Sequence, residues 1–277
     1  MKLEKPTVKT KTFLQRCVCH GLILGIAAAT AHAAAINGYD PIPRVFNDNP
    51  GSTLTITPSG PINVNPATIT IRDQFTGAFT GANRHDVIAS SDGGATAYIH
   101  SIDDSFVFMT TLTLTDGFNS PRKEAGIRIN SSPASGVGDM LFLVNSDAGE
   151  IVTFGGPFHS FGNNAGGNGY TPGSSILLGV REIGGGDGVG GVADTIEFFI
   201  DRGAGVETTG PLAWPNTEGG PVNFQVGVYA QGGANAGGDF VNALFSNTTY
   251  TTVVPEPGTF ALVGMGLFGL LAIRRKR

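Results

Sequence analysis

Apolar and polar residues alternate along much of the chain, a pattern typical of half-buried β-strands. In residues 106–114, for example, Phe106, Phe108, Leu112 and Leu114 share one face. No apolar stripe of helical period continues beyond two turns. The alternating and the more uniformly apolar segments predict strands at 53–57, 68–72, 106–114, 126–129, 139–145, 175–181, 194–201 and 222–230.

Glycine-rich turns separate these segments, and glycine supplies 42 of the 277 residues, so the connections are expected to be tight. About ten short strands joined in this way predict an all-β protein, a single antiparallel sandwich of the jelly-roll kind over residues 36–250. The order of strands loosely resembles that of concanavalin-like and laminin-G-like domains. The turn signals are Asp92-Gly93-Gly94, Asp116-Gly117, 162–169 and 184–191.

The first 33 residues have the three parts of a secretory signal peptide. A positive region precedes an apolar run at 21–29, and Ala31-His32-Ala33 offers the small residues that a signal peptidase accepts. We expect cleavage after Ala33, with Ala35 as the second choice. A short membrane anchor is the alternative, but the run is too short to span about 30 Å of hydrocarbon. The positive residues are Lys2, Lys5, Lys9, Lys11 and Arg16.

The C-terminus also has three consecutive parts. A linker over 251–258 contains Pro255-Glu256-Pro257, an uncharged run follows at 259–273, and Arg274-Arg275-Lys276-Arg277 ends the chain. As a helix the run would be about 22 Å long at about 1.5 Å per residue, short for a permanent transmembrane anchor. The basic end is expected to stay cytoplasmic, because positive residues resist translocation.

This tail resembles the PEP-CTERM sorting signal of Gram-negative bacteria in Pro255, Glu256 and Pro257, in the apolar run and in the four basic residues. The resemblance implies recognition by an exosortase, an integral-membrane processing enzyme, and an association with exopolysaccharide and biofilm. An ordinary tail anchor with a chance Pro-Glu-Pro is the alternative. The resemblance bears on delivery and leaves the activity of the main domain open.

The region between the two ends is acidic. The whole chain has 17 basic and 22 acidic residues, and the ends hold nine of the basic and two of the acidic ones. The remaining eight basic and 20 acidic residues give a net charge of −12. Such a charge repels nucleic acid and attracts divalent cations. Both cysteines, Cys17 and Cys19, lie in the signal segment, so the mature protein is expected to have neither disulfide nor thiol catalyst.

The glycine-rich segment 184–191 raises the question of an ion site. Its sequence resembles a fragment of calcium-binding nonapeptide repeats, but those repeats work in several copies and only one imperfect copy is present. A single calcium site with Asp187 or Asp194 as ligands is one interpretation, because calcium prefers carboxylate and carbonyl oxygens. A hairpin loop without an ion is the other. No other cofactor is expected.

The remaining candidate residues do not form a catalytic motif. Glu197 and Asp201 share one face of a predicted strand, but four residues separate them by about 13 Å, beyond the roughly 5–9.5 Å of glycosidase carboxyl pairs. The acidic pair Asp103-Asp104 is interpreted as a surface turn. His85, His100 and His159 have no zinc-ligand spacing.

Trp214, the only tryptophan, lies in a proline-containing segment. It could stack on a sugar ring or fill the edge of the core, and Tyr170 and Tyr229 are weaker candidates for stacking. Together these observations favour a non-catalytic exported protein associated with exopolysaccharide or biofilm. A secreted carbohydrate-active hydrolase and a purely structural surface protein stay open as alternatives. The expected partners are an exosortase, the inner membrane and a polysaccharide, and nucleic acid is not expected.

Overall fold

The computed structural model of the protein describes residues 35–101, 105–131, 139–183, 195–213 and 223–252. Within these ranges the chain forms β-strands and a single turn of 3-10 helix at Asn164–Gly166. The strands are β1 (Gly38–Asn47), β2 (Thr53–Thr57), β3 (Ala67–Gln74), β4 (Phe79–Ser90), β5 (His100–Ser101), β6 (Phe106–Asp116), β7 (Lys123–Ser131), β8 (Asp139–Asn145), β9 (Ile151–Phe154), β10 (His159–Gly162), β11 (Ser175–Ile183), β12 (Thr195–Asp201), β13 (Val206–Thr208), β14 (Leu212–Ala213), β15 (Asn223–Ala234) and β16 (Phe240–Thr252).

These strands pair antiparallel in two sheets of eight. Sheet A has the order β1-β4-β15-β7-β8-β9-β10, with β5 also beside β15. Sheet B has the order β13-β12-β11-β6-β16-β3-β2, with β14 also beside β12. The predicted all-β antiparallel sandwich is confirmed. About ten strands were expected and the described ranges contain sixteen. β5, β13 and β14 contain only two or three residues and cannot display an alternating pattern, and the longer strands β1, β4 and β16 were not among the predicted segments.

The core lies between the two sheets and contains apolar side chains of both. Phe142 of sheet A contacts Phe198 of sheet B, with ring centroids 5.3 Å apart. Phe106 of sheet B contacts Phe224 of sheet A at 5.5 Å. The predicted apolar face of β6 is fully buried in this core, so alternation assigned the inward side of the strand correctly.

The last two strands occupy interior positions in both sheets. β15 lies between β4 and β7, and β16 lies between β6 and β3. β15 begins one residue later and ends four residues later than predicted, and Gly232 is still in register with Lys123. A side chain at Gly232 would crowd the buried Lys123 side chain, so glycine leaves room for that lysine.

Several buried polar links join the sheets, and two of them pair a carboxylate with a basic side chain. In one, His85 Nε2 of sheet A lies 2.9 Å from Asp73 Oδ2 of sheet B. His85 Nδ1 accepts a hydrogen bond from the backbone N–H of Arg44, so the ring proton stands on Nε2 and is donated to Asp73. In the other, the Lys123 ammonium donates to the Asp239 carboxylate at 2.6 Å. Both links have a structural role, because they fix one sheet against the other.

None of the helical structure in the described ranges is long and apolar enough to cross a bilayer. The predicted signal peptide at 1–33 and the predicted membrane helix at 259–273 lie outside those ranges.

Candidate functional site

The outer face of sheet A, the side that points away from the core, carries an unusual density of charge. Alternation along five neighbouring strands places both polar and apolar side chains there. They are Arg84 and Asp86 of β4, Tyr229 and Gln231 of β15, Glu124 and Arg128 of β7, Leu141 and Leu143 of β8, and Val152 and Phe154 of β9.

Two arginines and two aspartates on this face form a closed ring of ion pairs. Arg84 donates from Nε to Asp86 at 3.1 Å and from Nη1 to Asp139 at 3.1 Å. Arg128 also donates to both carboxylates, to Asp139 at 2.8 Å and to Asp86 at short range. Each carboxylate therefore forms ion pairs with both guanidinium groups, and the two positive and two negative charges cancel.

Burial shapes the electrostatics of the ring. Arg84 and Asp86 are 2% and 0% exposed although they point away from the core. Burial raises the pKa of Asp86, while the adjacent Arg84 and Arg128 act in the opposite direction. A buried charge is tolerated only when it is paired, so removal of either arginine is expected to be much more disruptive than removal of an exposed one.

A second set of polar groups continues the face along β7 and β15. Arg122 donates to Glu124 at 2.9 Å and to Glu150 at 3.0 Å. Gln231 Nε2 donates to the other oxygen of Glu124. Burial raises the pKa of the Glu124 carboxyl, and Arg122 lowers it.

Tyr229 lies between the two polar sets and is fully buried. The Arg84 guanidinium lies over its ring, 4.8 Å from the centroid. The Tyr229 hydroxyl has no hydrogen-bond partner among the described residues. Burial raises the pKa of this phenol well above 10, so the hydroxyl keeps its proton at physiological pH.

The β8 and β9 side of the face is apolar. Leu143 and Val152 are buried and pack with Tyr229 and Leu141 in a cluster separate from the main core. Beyond them Phe154 is 39% exposed and contacts Phe158, which is 66% exposed, at a centroid distance of 5.7 Å. The face thus passes from charged groups through a buried tyrosine to exposed aromatic rings.

The predicted carboxylate pair Glu197 and Asp201 lies on β12 of sheet B, where each member has a local partner. Glu197 pairs with Arg181 at 3.2 Å and accepts a hydrogen bond from Thr208. Asp201 accepts from the backbone N–H groups of the turn that follows β12, at 2.6 and 3.1 Å. Both carboxylates stabilise the β12–β13 hairpin.

The other predicted site residues divide between the core and segments outside the described ranges. Trp214, Asp187 and Asp194 lie outside them, as do Asp103-Asp104 and the residues of the sorting signal, so the stacking and calcium interpretations stay predictions. Among the described residues no three metal-ligating side chains come together. The sorting residues are Pro255, Glu256, Pro257, Arg274, Arg275, Lys276 and Arg277.

The two tyrosines considered for stacking are both buried. Tyr170 donates from its hydroxyl to Ser174 O at 2.7 Å and accepts from Leu114 N–H at 2.7 Å, which marks it as a structural residue. The pattern of β15 places Tyr229 on the outer face, where we expected solvent exposure. Ionic and apolar neighbours on that face bury it instead.

Sequence reasoning missed the ion-pair ring. Arg84 and Asp139 are 55 residues apart, and their contact depends on a strand order in which β15 separates β4 from β7. A usable signal was present, since β4 has Arg84 and Asp86 at alternate positions and β7 has Arg128, in a region with only eight basic residues. Charges repeated at alternate positions within strands deserve the same scrutiny as motifs.

Comparison with known proteins identifies the tail. Residues 253–277 match the model of the PEP-CTERM protein-sorting motif, which confirms the resemblance of this segment. The motif marks an exported protein that is sorted through an exosortase. A search by sequence against curated proteins finds no match.

Among solved structures the chain is similar to an alginate lyase from Corynebacterium sp., with a TM-score of 0.51 and 12% identity over 78% of this chain and 95% of the other. A polysaccharide lyase family 7 alginate lyase, AlgAT5, aligns with a TM-score of 0.43 and 12% identity over 79% and 95% of the two chains. Arcelin-5, a lectin-like defence protein from Phaseolus vulgaris, aligns with a TM-score of 0.40 and 10% identity over 78% and 97%. At these identities the similarity concerns the sandwich fold alone.

Proposed function

We propose that the protein is an exported, non-catalytic polysaccharide-binding protein that associates with exopolysaccharide or biofilm at the cell surface. In this proposal residues 1–33 are removed as a signal peptide. Residues 259–273 span the inner membrane, with 274–277 in the cytoplasm, until an exosortase processes the tail. The sandwich over residues 36–250 then acts outside the membrane.

The outer face of sheet A is the observation that supports binding. A sugar ring has apolar C–H faces and a polar rim of hydroxyl groups, so it suits a surface that places aromatic rings beside hydrogen-bonding side chains. Phe46, next to Arg84 and 49% exposed, borders the charged side of this face, and Phe154 borders the apolar side.

A polysaccharide-cleaving enzyme is the second candidate. It is supported by the fold similarity to a Corynebacterium alginate lyase and by the raised pKa values of Asp86 and Glu124, since a general acid needs a raised pKa. Against it, arginine pairs hold both carboxylates. Moreover His85 and His100 are buried on the core side.

The proposal is tested by binding and cleavage measured together. The full-length chain, purified in mild detergent, is run in affinity electrophoresis through gels that contain chitosan of high acetylation, alginate or a neutral glucan. We expect retardation by at least one polymer and no new reducing or unsaturated ends. Phe154→Ala should weaken the retardation, because it removes an exposed ring from the face.

Leu244→Ala is the matched control, since Leu244 is similarly exposed, at 36%, but on sheet B. Equal retardation of the wild type and both variants would place binding elsewhere on the molecule. Release of new polysaccharide chain ends would contradict the non-catalytic proposal and favour the polysaccharide-cleaving enzyme.

A further inference from the structure

Three residues at neighbouring positions on the outer face of sheet A each have a buried polar atom without a hydrogen-bond partner among the described residues. These atoms are Arg84 Nη2, the Tyr229 hydroxyl and Gln231 Oε1. Gln231 pairs in register with Arg84, and Tyr229 occupies the next outward position of the same strand. A buried polar atom without a partner costs free energy, so three neighbours of this kind indicate a site adapted to a ligand.

The hydrogen-bonding character of each atom is fixed by its surroundings. The amide nitrogen of Gln231 is committed to the Glu124 carboxylate, which can only accept, so Oε1 is left as an acceptor. Nε and Nη1 of Arg84 are committed to Asp86 and Asp139, so Nη2 is left as a donor. The Tyr229 hydroxyl can donate or accept. The matching ligand group therefore presents an acceptor and a donor side by side.

Charge excludes an anion as the preferred ligand. Three arginines and four carboxylates share the face, which leaves it with a net charge of −1, and each arginine is already ion-paired. The region between the signal segment and the tail carries −12 overall. A carboxylated or sulfated sugar would gain little from paired arginines and would be repelled by this field.

Apolar side chains pack against Tyr229. Tyr229, Gly126, Leu143 and Val152 follow one another across β15, β7, β8 and β9. A side chain at Gly126 would collide with the Phe142 carbonyl, so glycine leaves the tyrosine in contact with the leucine and valine. The ligand group that fits therefore also includes a small apolar part.

We propose that this part of the face binds the N-acetyl group of an amino sugar. The acetamido carbonyl accepts hydrogen bonds from Arg84 Nη2 and the Tyr229 hydroxyl, its N–H donates to Gln231 Oε1, and its methyl group packs on Leu143 and Val152. Entry needs a shift of the Arg84 guanidinium, which covers the Tyr229 ring, and an opening of the cluster in which Leu143 and Val152 are buried. This inference rests on the proposed function and specifies its ligand.

The test compares three trisaccharides on the full-length chain in mild detergent by titration calorimetry: triacetylchitotriose, its deacetylated form and a mannuronate trisaccharide. We expect triacetylchitotriose to bind at least tenfold more tightly than the other two, a difference of about 1.4 kcal/mol. Tyr229→Phe and Gln231→Leu should each weaken its binding about tenfold. Thr113→Ala, on the outer face of sheet B, should leave it unchanged.

Tighter binding of the mannuronate trisaccharide, or unchanged affinity in both face variants, would overturn the acetamido assignment. Polymer retardation that is sensitive to Phe154→Ala would still support the proposed function in that case. Absence of both trisaccharide binding and polymer retardation would overturn the two proposals together.

Discussion

Substitution of Tyr229 by phenylalanine should stabilise the protein. The hydroxyl is fully buried and has no partner among the described residues, so the folded chain bears its desolvation without compensation. Burial of such a group costs about 1–3 kcal/mol. Phenylalanine keeps the ring beneath Arg84 and its contacts with Leu143 and Val152. We expect a gain of about 1 kcal/mol, or about 2–4 °C in Tm for a domain of this size.

Tyr170→Phe is the matched control. Tyr170 is also buried, but its hydroxyl bonds both Leu114 and Ser174, so the same substitution should lose about 1–2 kcal/mol. Urea unfolding of the full-length chain in mild detergent, followed by tyrosine and tryptophan fluorescence, measures both variants. If Tyr229→Phe destabilised the protein as much as Tyr170→Phe, the hydroxyl would have a partner and the argument for a ligand subsite at Tyr229 would fail.

Two further predictions concern pH and the tail. Burial lowers the pKa of His100 from 6.5 to about 3. Below pH 6.5 His100 therefore binds a proton in the unfolded chain but not in the folded chain. The free energy of unfolding decreases as the pH is lowered, by about 3 kcal/mol from pH 6.5 to pH 4. His100→Phe should flatten the plot of Tm against pH over this range, and equal slopes would contradict the assignment. Neutral replacement of Arg274, Arg275, Lys276 and Arg277 should impair membrane retention and processing, and fractionation in hosts with and without an exosortase measures this. Unprocessed secretion of both forms in both hosts would refute the role of the basic end.

The sandwich could be predicted because its inward residues obey a local rule. Ile196, Phe198 and Ile200 occupy alternate positions with Glu197 and Asp201 on the opposite face, and all three are buried in the core as expected. Strands of two or three residues escape this rule, because they are too short to show a period. β15 exceeded its predicted end for a different reason. Gly232 and Gly233 have no side chains with which to continue the alternation, and Gly232 leaves room for the Lys123 side chain.

The candidate site could not be predicted from the same pattern. Alternation correctly placed Tyr229 on the outward side of β15, but it contains no information about burial on that side. The burial of Asp86 and Arg84 arises from contacts between strands that are distant in sequence, and the order β4-β15-β7 is not encoded in any one segment. The sorting signal was predictable for the opposite reason, since all its parts are contiguous at 253–277.

The interior positions of β15 and β16 impose an order on biogenesis. For a chain exported with its N-terminus first, the segment that completes both sheets crosses the membrane last. Until it arrives, β4 and β7 lack their common neighbour, as do β3 and β6, and such exposed edges invite pairing with other chains. β16 ends at Thr252 and the sorting motif begins at residue 253. A tail held in the bilayer would keep each unfinished chain apart from its neighbours, and its release would follow the closure of the fold a few residues away.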